Sequence, residues 1–457
     1  MVNYLDEIVD ELSSLADLGV KKSKLKGVEG SEVFISNIDS LDISIRSGVV
    51  EARQGISLGI GIRVVHNGKV GFAATSGVNE SKIDKVIEEA IQVAKIRPLD
   101  PKFKHLPDPI SISSKDGIID ENVLDFSEKE ALEEVKMLAD EAFAYDKRVK
   151  ALFGGVGVQK GVYAVANSRG VSEHSIGVGI GGGVYLTAVE NGKQKTGVEA
   201  IDSRTAVQFS GVGVKAAERA IGMLDSQPLK KSFRTTIVWE NLSIAPLLKG
   251  MIGAASSARN VQEGKSYFKG KLGEKVASKN LSVSDDGQLP EGLSTFKIDT
   301  EGTPSQITPL IDSGFLKNHI FDSYSAYQED QESTGNAGRG WPEPFLSTPN
   351  VSTSNIVLNT GKRDLTGLIG QVDEGILVTS FVMGVGHSNM LTGEFSVVAP
   401  SAFLLNNGEI KHPLESITIA GNFFQSLKSI IDVGSDVRIT SVGKTPSLTI
   451  EDLTVSG

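Results

Sequence analysis

The sequence predicts an α+β protein of two domains, an N-terminal mixed sheet with helices followed by a β-rich C-terminal domain. Three observations lead there. Apolar residues recur at helical spacing in a few separate blocks, long alternating or glycine-laced runs lie between them, and the strands come in succession with helices set apart, where regular alternation would give a parallel α/β sheet. At 457 residues the chain has room for two or three ordinary cores.

Each element has its own signal. Leu5, Ile8, Val9, Leu12 and Leu15 stand three or four apart, with Asp6, Glu7, Asp10 and Glu11 between them, which predicts an amphipathic helix. From Glu32 to about Thr75 the pattern alternates. Leu41, Ile43 and Ile45 share a face, Ile56 to Val65 is glycine-laced, and Asn67-Gly68 is a hairpin turn. Ile83, Val86, Ile87, Ala90, Ile91 and Ala94 return to helical spacing, begun near Ser81 and stopped by Pro98. Pro98 to Glu121 is irregular and reads as a linker or surface excursion. Ser127 and Glu130 have the spacing of a capping box ahead of a helix burying Ala131, Leu132, Val135, Leu138 and Ala142. Residues 150–201 are strand-like and rich in glycine, and a helix from about Val207 to Leu224 closes the first domain, 1–225. The polar stretch Ser226–Phe233 is the boundary, and the second domain covers 234–457. It opens with a strand at Thr235–Trp239 and a helix from about Pro246 to Ala258.

Composition narrows the function classes. With 46 Lys+Arg against 57 Asp+Glu the net charge is −11, which disfavours a phosphate backbone as partner. There is no Cys, so disulfides, thiolate nucleophiles and Cys-containing zinc sites are excluded. The first twenty residues carry acids where an export signal is basic, and no apolar run approaches the length of a membrane span. A cytoplasmic protein with no membrane partner is the expectation.

Few catalytic motifs are present. Gly177, Gly179 and Gly182 fit the dinucleotide pattern, but a strand and not a helix comes next, so these glycines read as places of close backbone approach. Among six histidines, His387 with Glu394 is the best pair for a metal or a general base, but its loop setting favours a histidine that merely hydrogen-bonds a turn. Asp285, Asp286, Asp299 and Glu301 beside glycines do not fit a calcium loop and read as turn formers. Trp341-Pro-Glu-Pro-Phe reads either as an exposed anchor for a partner or as a buried plug. Phe423, Phe424, Leu427 and Ile430 read as the core face of a helix.

Several segments stand in a familiar order: Gly61-Ile-Arg-Val-Val-His-Asn-Gly-Lys-Val-Gly-Phe-Ala, Asn167-Ser168-Arg-Gly, Gly270-Lys-Leu-Gly-Glu, Asp299-Thr-Glu-Gly-Thr-Pro, Thr334-Gly-Asn-Ala-Gly-Arg, Gly393-Glu-Phe-Ser and Ile419-Ala-Gly-Asn. Together they resemble the TldD/PmbA family. The resemblance implies a TldD branch whose second-domain helix carries HExxxH, two zinc-binding histidines and a water-activating glutamate, with a further ligand from a C-terminal cysteine loop. In this chain Lys249 and Ala254 stand where the histidines would be and Gly250 where the glutamate would be, and the cysteine loop is missing. Both ligand sources are lost together, which resembles the PmbA (TldE) branch.

Resemblance to that branch implies a chain without catalytic or metal-binding residues or a cofactor of its own. It would be the companion of a TldD-type subunit that holds zinc, in a protease acting on unfolded or small peptides reached as extended strands, with sheet edges offered by the glycine-rich strands around 154–183. Two other readings stay open. One is a non-enzymatic regulator or self-associating peptide-binding homodimer, in line with the family's older label as modulator of DNA gyrase, although no DNA-reading motif is present. The other is an independent metal hydrolase using His387.

Overall fold

The computed structural model describes residues 2–46, 48–111 and 119–457. The first half is built as α1 (Val2–Leu25), β1 (Gly30–Arg46), β2 (Val49–His66), β3 (Lys69–Ser76), α2 (Glu80–Ile96), α3 (Glu121–Leu124), α4 (Glu128–Tyr145), β4 (Val149–Asn167), β5 (Ser172–Glu190), β6 (Lys193–Ser203) and α5 (Val212–Ile221). The six strands form one sheet in the order β3-β2-β1-β4-β5-β6. Every pairing in it is antiparallel, because hairpins join β1 to β3 and β4 to β6, and the helical crossover returns β4 against β1. Parallel pairings occur in the second half. The glycine-rich strands are also interior: β4 is flanked by β1 and β5, and β5 by β4 and, from Ile180 onward, by β6. β4 has no free edge, and β5 is paired on one side only from Ser172 to Gly179.

Alternation divides the sheet's two faces. Val33 and Ile35 of β1, Ile60 and Ile62 of β2, and Val162 and Ala164 of β4 bury under α1, α2, α4 and α5 in one core. Their neighbours in sequence, Phe34, Tyr163 and Val165, point to the opposite face and meet Val171, Ile298 and Phe345, so the second half packs there. The local signals behave as sequence chemistry demands. Asn67 and Gly68 both adopt positive φ in the β2–β3 hairpin, Asn79 caps α2, and Ser127 with Glu130 closes a capping box on α4. Part of the irregular stretch Pro98 to Glu121, residues 112–118, lies outside the described residues.

The second half starts with β7 (Phe233–Trp239) and α6 (Asn241–Ser256). An eight-stranded sheet contains β7, which runs parallel to Glu374–Val378 and antiparallel to Leu448–Ser456. A second six-stranded sheet contains β8 (Val283–Asp286), and Ile356–Leu358 runs parallel to Gly443–Thr445 within it. The two share a core with α6, whose Leu247, Leu248, Met251, Ile252 and Ala255 are buried. The expected helix near Phe423 is short: Phe423–Ser426 is α-helical, Leu427–Ser429 is a 3₁₀ turn, and Ile430 already belongs to a strand, although all four apolar residues are buried as their spacing required.

Candidate functional site

A cavity of about 450 Å³ opens between the two halves. The first half contributes Phe34 and Ser36 from β1, Gly161 and Tyr163 from β4, Gly177 and Gly179 from β5, and Arg204 just past β6. The facing wall is loop and turn, including Phe296, Asp299, Asn336, Trp341, Thr353 and Ser354. Close approach of the halves depends on side chains being absent. A Cβ on Gly59 or Gly61 of β2 would lie within about 2.5 Å of Phe345, so glycine there lets the Pro344–Leu346 turn seat against the sheet. The Trp341-Pro-Glu-Pro-Phe loop is plugged in at Phe345, which is buried, and leaves Trp341 64% exposed at the cavity.

Beside the cavity, buried charges join the halves. Arg63 of β2 donates through Nη2 to Glu32 Oε2 at 2.6 Å and to Glu301 Oε1 at 2.9 Å, and Arg339 Nη2 donates to Glu32 Oε1 at 2.7 Å. Glu301 also accepts from the Ser323 amide at 2.9 Å. Burial pushes the Glu301 carboxyl up, but Arg63 and Ser323 more than offset it, and its pKa sits below the usual range. Asp299 goes the other way. Burial and the charge of Glu301 raise it, against three amide donors, Glu301 N and Thr303 N at 2.9 Å and Ala337 N at 3.0 Å. Asp285, Asp299 and Glu301 are all buried; Asp299 forms the expected turn, its side chain taking the Glu301 and Thr303 amides and its carbonyl the Gly302 amide, whereas Asp285 lies on β8 and Glu301 pairs with Arg63. The acidic motif Asp299-Thr-Glu-Gly is therefore an interface element, and its fixed spacing was the available signal. Arg63 and Arg339 fall within segments quoted for the family resemblance, but no local pattern gave them a role or singled out Glu32 or Arg204, because their partners lie on other elements.

The face of α6 turned away from the core carries Lys249, Gly250, Gly253 and Ala254, all half-buried. Lys249 Nζ donates to the Ser441 carbonyl at 2.7 Å. Its pKa is lowered by burial and partly restored by Asp285. A Cβ on Gly250 would stand 2.8 Å from Met390 Sδ, and one on Gly253 would stand 3.2 Å from Thr353 Cγ2. Met390, on the loop between His387 and Glu394, thus fills the space beside Gly250. Ala254 supplies only its carbonyl, which accepts from Asn260 Nδ2 at 2.8 Å. Asp285 on β8 accepts from Asn336 Nδ2 at 2.5 Å and the Ser354 amide at 2.8 Å, and burial pushes its carboxyl up to about 7. Because Asn336, Thr353 and Ser354 also line the cavity, α6 and Asp285 stand directly behind its wall.

His387 ends a 3₁₀ turn, Glu394 begins a strand, and both are exposed. Among the described residues no hydrogen bond or ion pair joins them, and no group of three or more His, Asp or Glu side chains is placed to hold a metal ion.

The chain has counterparts among known proteins along its whole length. Sequence models of the PmbA/TldA metallopeptidase family match along the chain: domain 1 over residues 31–94, the central domain over 121–224 and the C-terminal domain over 232–457. The chain belongs to this metallopeptidase family. The metalloprotease PmbA homologue of Haemophilus influenzae is 27% identical over 464 residues, covering 98% of this chain and 96% of its own. Metalloprotease PmbA of Escherichia coli O157:H7 is 25% identical, covering 94% and 92%. Among solved structures, TldE from Thermococcus kodakarensis superposes with a TM-score of 0.87 at 24% identity over 97% of this chain and 100% of that one. A putative modulator of DNA gyrase from Thermotoga maritima superposes with a TM-score of 0.86 at 26% identity over 97% and 99%. Within the family, the chain lies on the PmbA (TldE) branch. The two family units 31–94 and 121–224 share the six-stranded sheet of the first half.

Proposed function

We propose that this chain is the non-catalytic subunit of a TldD/TldE-type zinc metalloprotease acting on unfolded or small peptides, with catalysis supplied by a TldD-type partner bearing HExxxH. The observation that carries the reading is the outer face of α6. An ammonium bonded to a carbonyl repels a divalent cation, and Gly250 and Ala254 bring no lone pair. The residues at these positions do not fit zinc, and no hydrolytic step is assigned to them. Met390 packed against Gly250 supports the same reading, since a glutamate there would need the space it fills. Haemophilus influenzae offers a precedent for two chains: its TldD homologue is also similar to this one, 24% identical over 442 residues and 90% of each chain. No helix among the described residues is long and apolar enough to cross a membrane, in keeping with a cytoplasmic complex.

Reconstitution tests the proposal. This chain and a TldD-type chain are purified separately, analysed for zinc, and assayed for cleavage of an unfolded polypeptide alone and mixed. The expected result is zinc in the partner only, and cleavage by the mixture. Stoichiometric zinc in this chain alone, or equal cleavage by the partner without it, would overturn the assignment.

A further inference from the structure

Arg204 is a buried cation without a counter-ion. It is 1% exposed, its Nε donates to the Gly292 carbonyl at 2.7 Å and its Nη2 to the Leu293 carbonyl at 2.9 Å, while Nη1 has no acceptor. Its guanidinium stacks 4.6 Å from the Phe296 ring centroid. No carboxylate pairs with it among the described residues. The other charged groups lining the cavity are engaged, Arg339 by Glu32 and Asp299 by three amides. A buried charge left alone is costly, and an anion in the cavity would compensate it. Ser36 Oγ is a second buried polar atom without a partner on the same lining. Around these stand Phe34, Ile38, Phe296 and Trp341, so the ligand needs an apolar body as well as a negative charge.

The strand pairing adds a direction. Ser203 is opposite Ile180, and from Ser172 to Gly179 strand β5 has a neighbouring strand on one side only. Arg204 stands where that single-sided length begins, and Gly177 and Gly179 within it line the cavity. An extended chain laid parallel to β5 would end at Arg204 with its C-terminus.

We propose that this cavity is a binding site for the C-terminal carboxylate of a peptide whose last residue is apolar. The carboxylate faces Arg204, and the apolar side chain lies against Phe296, on which the guanidinium stacks. One unpaired guanidinium matches a monoanion, whereas a phosphate dianion calls for more than one cation. The choice of a peptide over a free carboxylic acid rests on the peptide-handling role proposed above.

The test uses the full chain alone, titrated calorimetrically with N-acetyl-Leu-Phe, its C-terminal amide and 3-phenylpropionate. The free dipeptide acid is expected to bind at least about tenfold more tightly than the amide, and Arg204→Met to abolish that preference. Because Arg204 also holds two carbonyls, a second variant is needed. A Cβ on Gly161 would find its nearest neighbour, Ile38 Cγ1, at 3.8 Å, so this position accepts a side chain's first carbon, and Gly161→Val, which adds bulk to the cavity lining, is expected to remove binding with the melting temperature unchanged. Phenylpropionate binding as tightly as the dipeptide would overturn the peptide assignment in favour of a free carboxylic acid. Equal affinity for acid and amide, no binding by any of the three, or binding indifferent to Gly161→Val would overturn the site. Neither partner nor catalysis enters this experiment, so its failure leaves the subunit assignment standing, and failed reconstitution leaves the site standing.

Discussion

Asp285 shows how a single residue's surroundings reverse its sequence-based reading. Beside Asp286 and Gly287 it resembles a turn former, yet it sits on β8 at 1% exposure, and burial outweighs its bonds from Asn336 and Ser354 to hold its carboxyl near pH 7. The consequence for stability has a definite sign. In the unfolded chain the group loses its proton near its ordinary value of 3.8, whereas the folded chain keeps it to about 7, so between these values the folded state binds more protons and stability falls as pH rises. Above that window the loss is complete and flat. Denaturant titrations of the protein and of Asp285→Asn at a series of pH values should diverge across this window. The substituted protein should avoid a loss on the order of 2–4 kcal/mol. Parallel curves would mean that Asp285 ionises as it does in an unfolded chain.

At the scale of an element, α6 was legible in outline and its environment was not. Its existence, its altered Lys249, Gly250 and Ala254 and its buried stripe are all matters of local sequence, though it starts at Asn241, five residues ahead of Pro246, which stands inside the helix and cannot offer the Leu242 carbonyl an amide. The capping box at Ser127 and the Asn67-Gly68 hairpin were equally legible, because each is decided by residues within four positions. What local pattern could not supply is the neighbour from another element, such as Met390 against Gly250 or Arg339 against Glu32. The same limit applied to the glycine strands, whose composition suggested free edges while pairing made β4 interior. The Gly250–Met390 contact makes a prediction. Replacing glycine by alanine inside a helix normally adds about 1 kcal/mol of stability, but here the new methyl meets Met390 Sδ at 2.8 Å. Gly250→Ala should therefore gain about 1 kcal/mol less in the native background than in Met390→Ala, a coupling read from a double-mutant cycle of denaturation free energies. Additive effects would mean the loop does not press on the helix.

Across the whole molecule, arginines do much of the joining. Arg63 links β1 and β2 to Glu301, and Arg339 reaches back to Glu32. Arg219 of α5 binds Glu240, at the start of α6, through two hydrogen bonds of 2.7 and 2.8 Å, and Arg438 pairs with Glu199 of β6. Those near the cavity flank a small apolar cluster, Phe34, Val165, Val171, Ile298 and Phe345, so the halves share both greasy and charged contacts. Such a seam should make them unfold together, whereas a lightly joined pair of domains melts in two steps. The network around Arg63 sets two carboxylates, Glu32 and Glu301, against two guanidinium groups, Arg63 and Arg339. Removing one cation leaves buried negative charge uncompensated, at a cost of about 3–5 kcal/mol concentrated on the seam. Both tryptophans, Trp239 and Trp341, lie in the second half, and Trp239 is fully buried, so tryptophan emission follows that half while far-ultraviolet dichroism follows both. In guanidinium titrations the two signals should coincide for the native protein. For Arg63→Met combined with Arg219→Met they should separate, the dichroism splitting into two steps of which emission tracks one. Coincident curves in the double variant would place the cooperativity in the apolar cluster and not in the ion pairs.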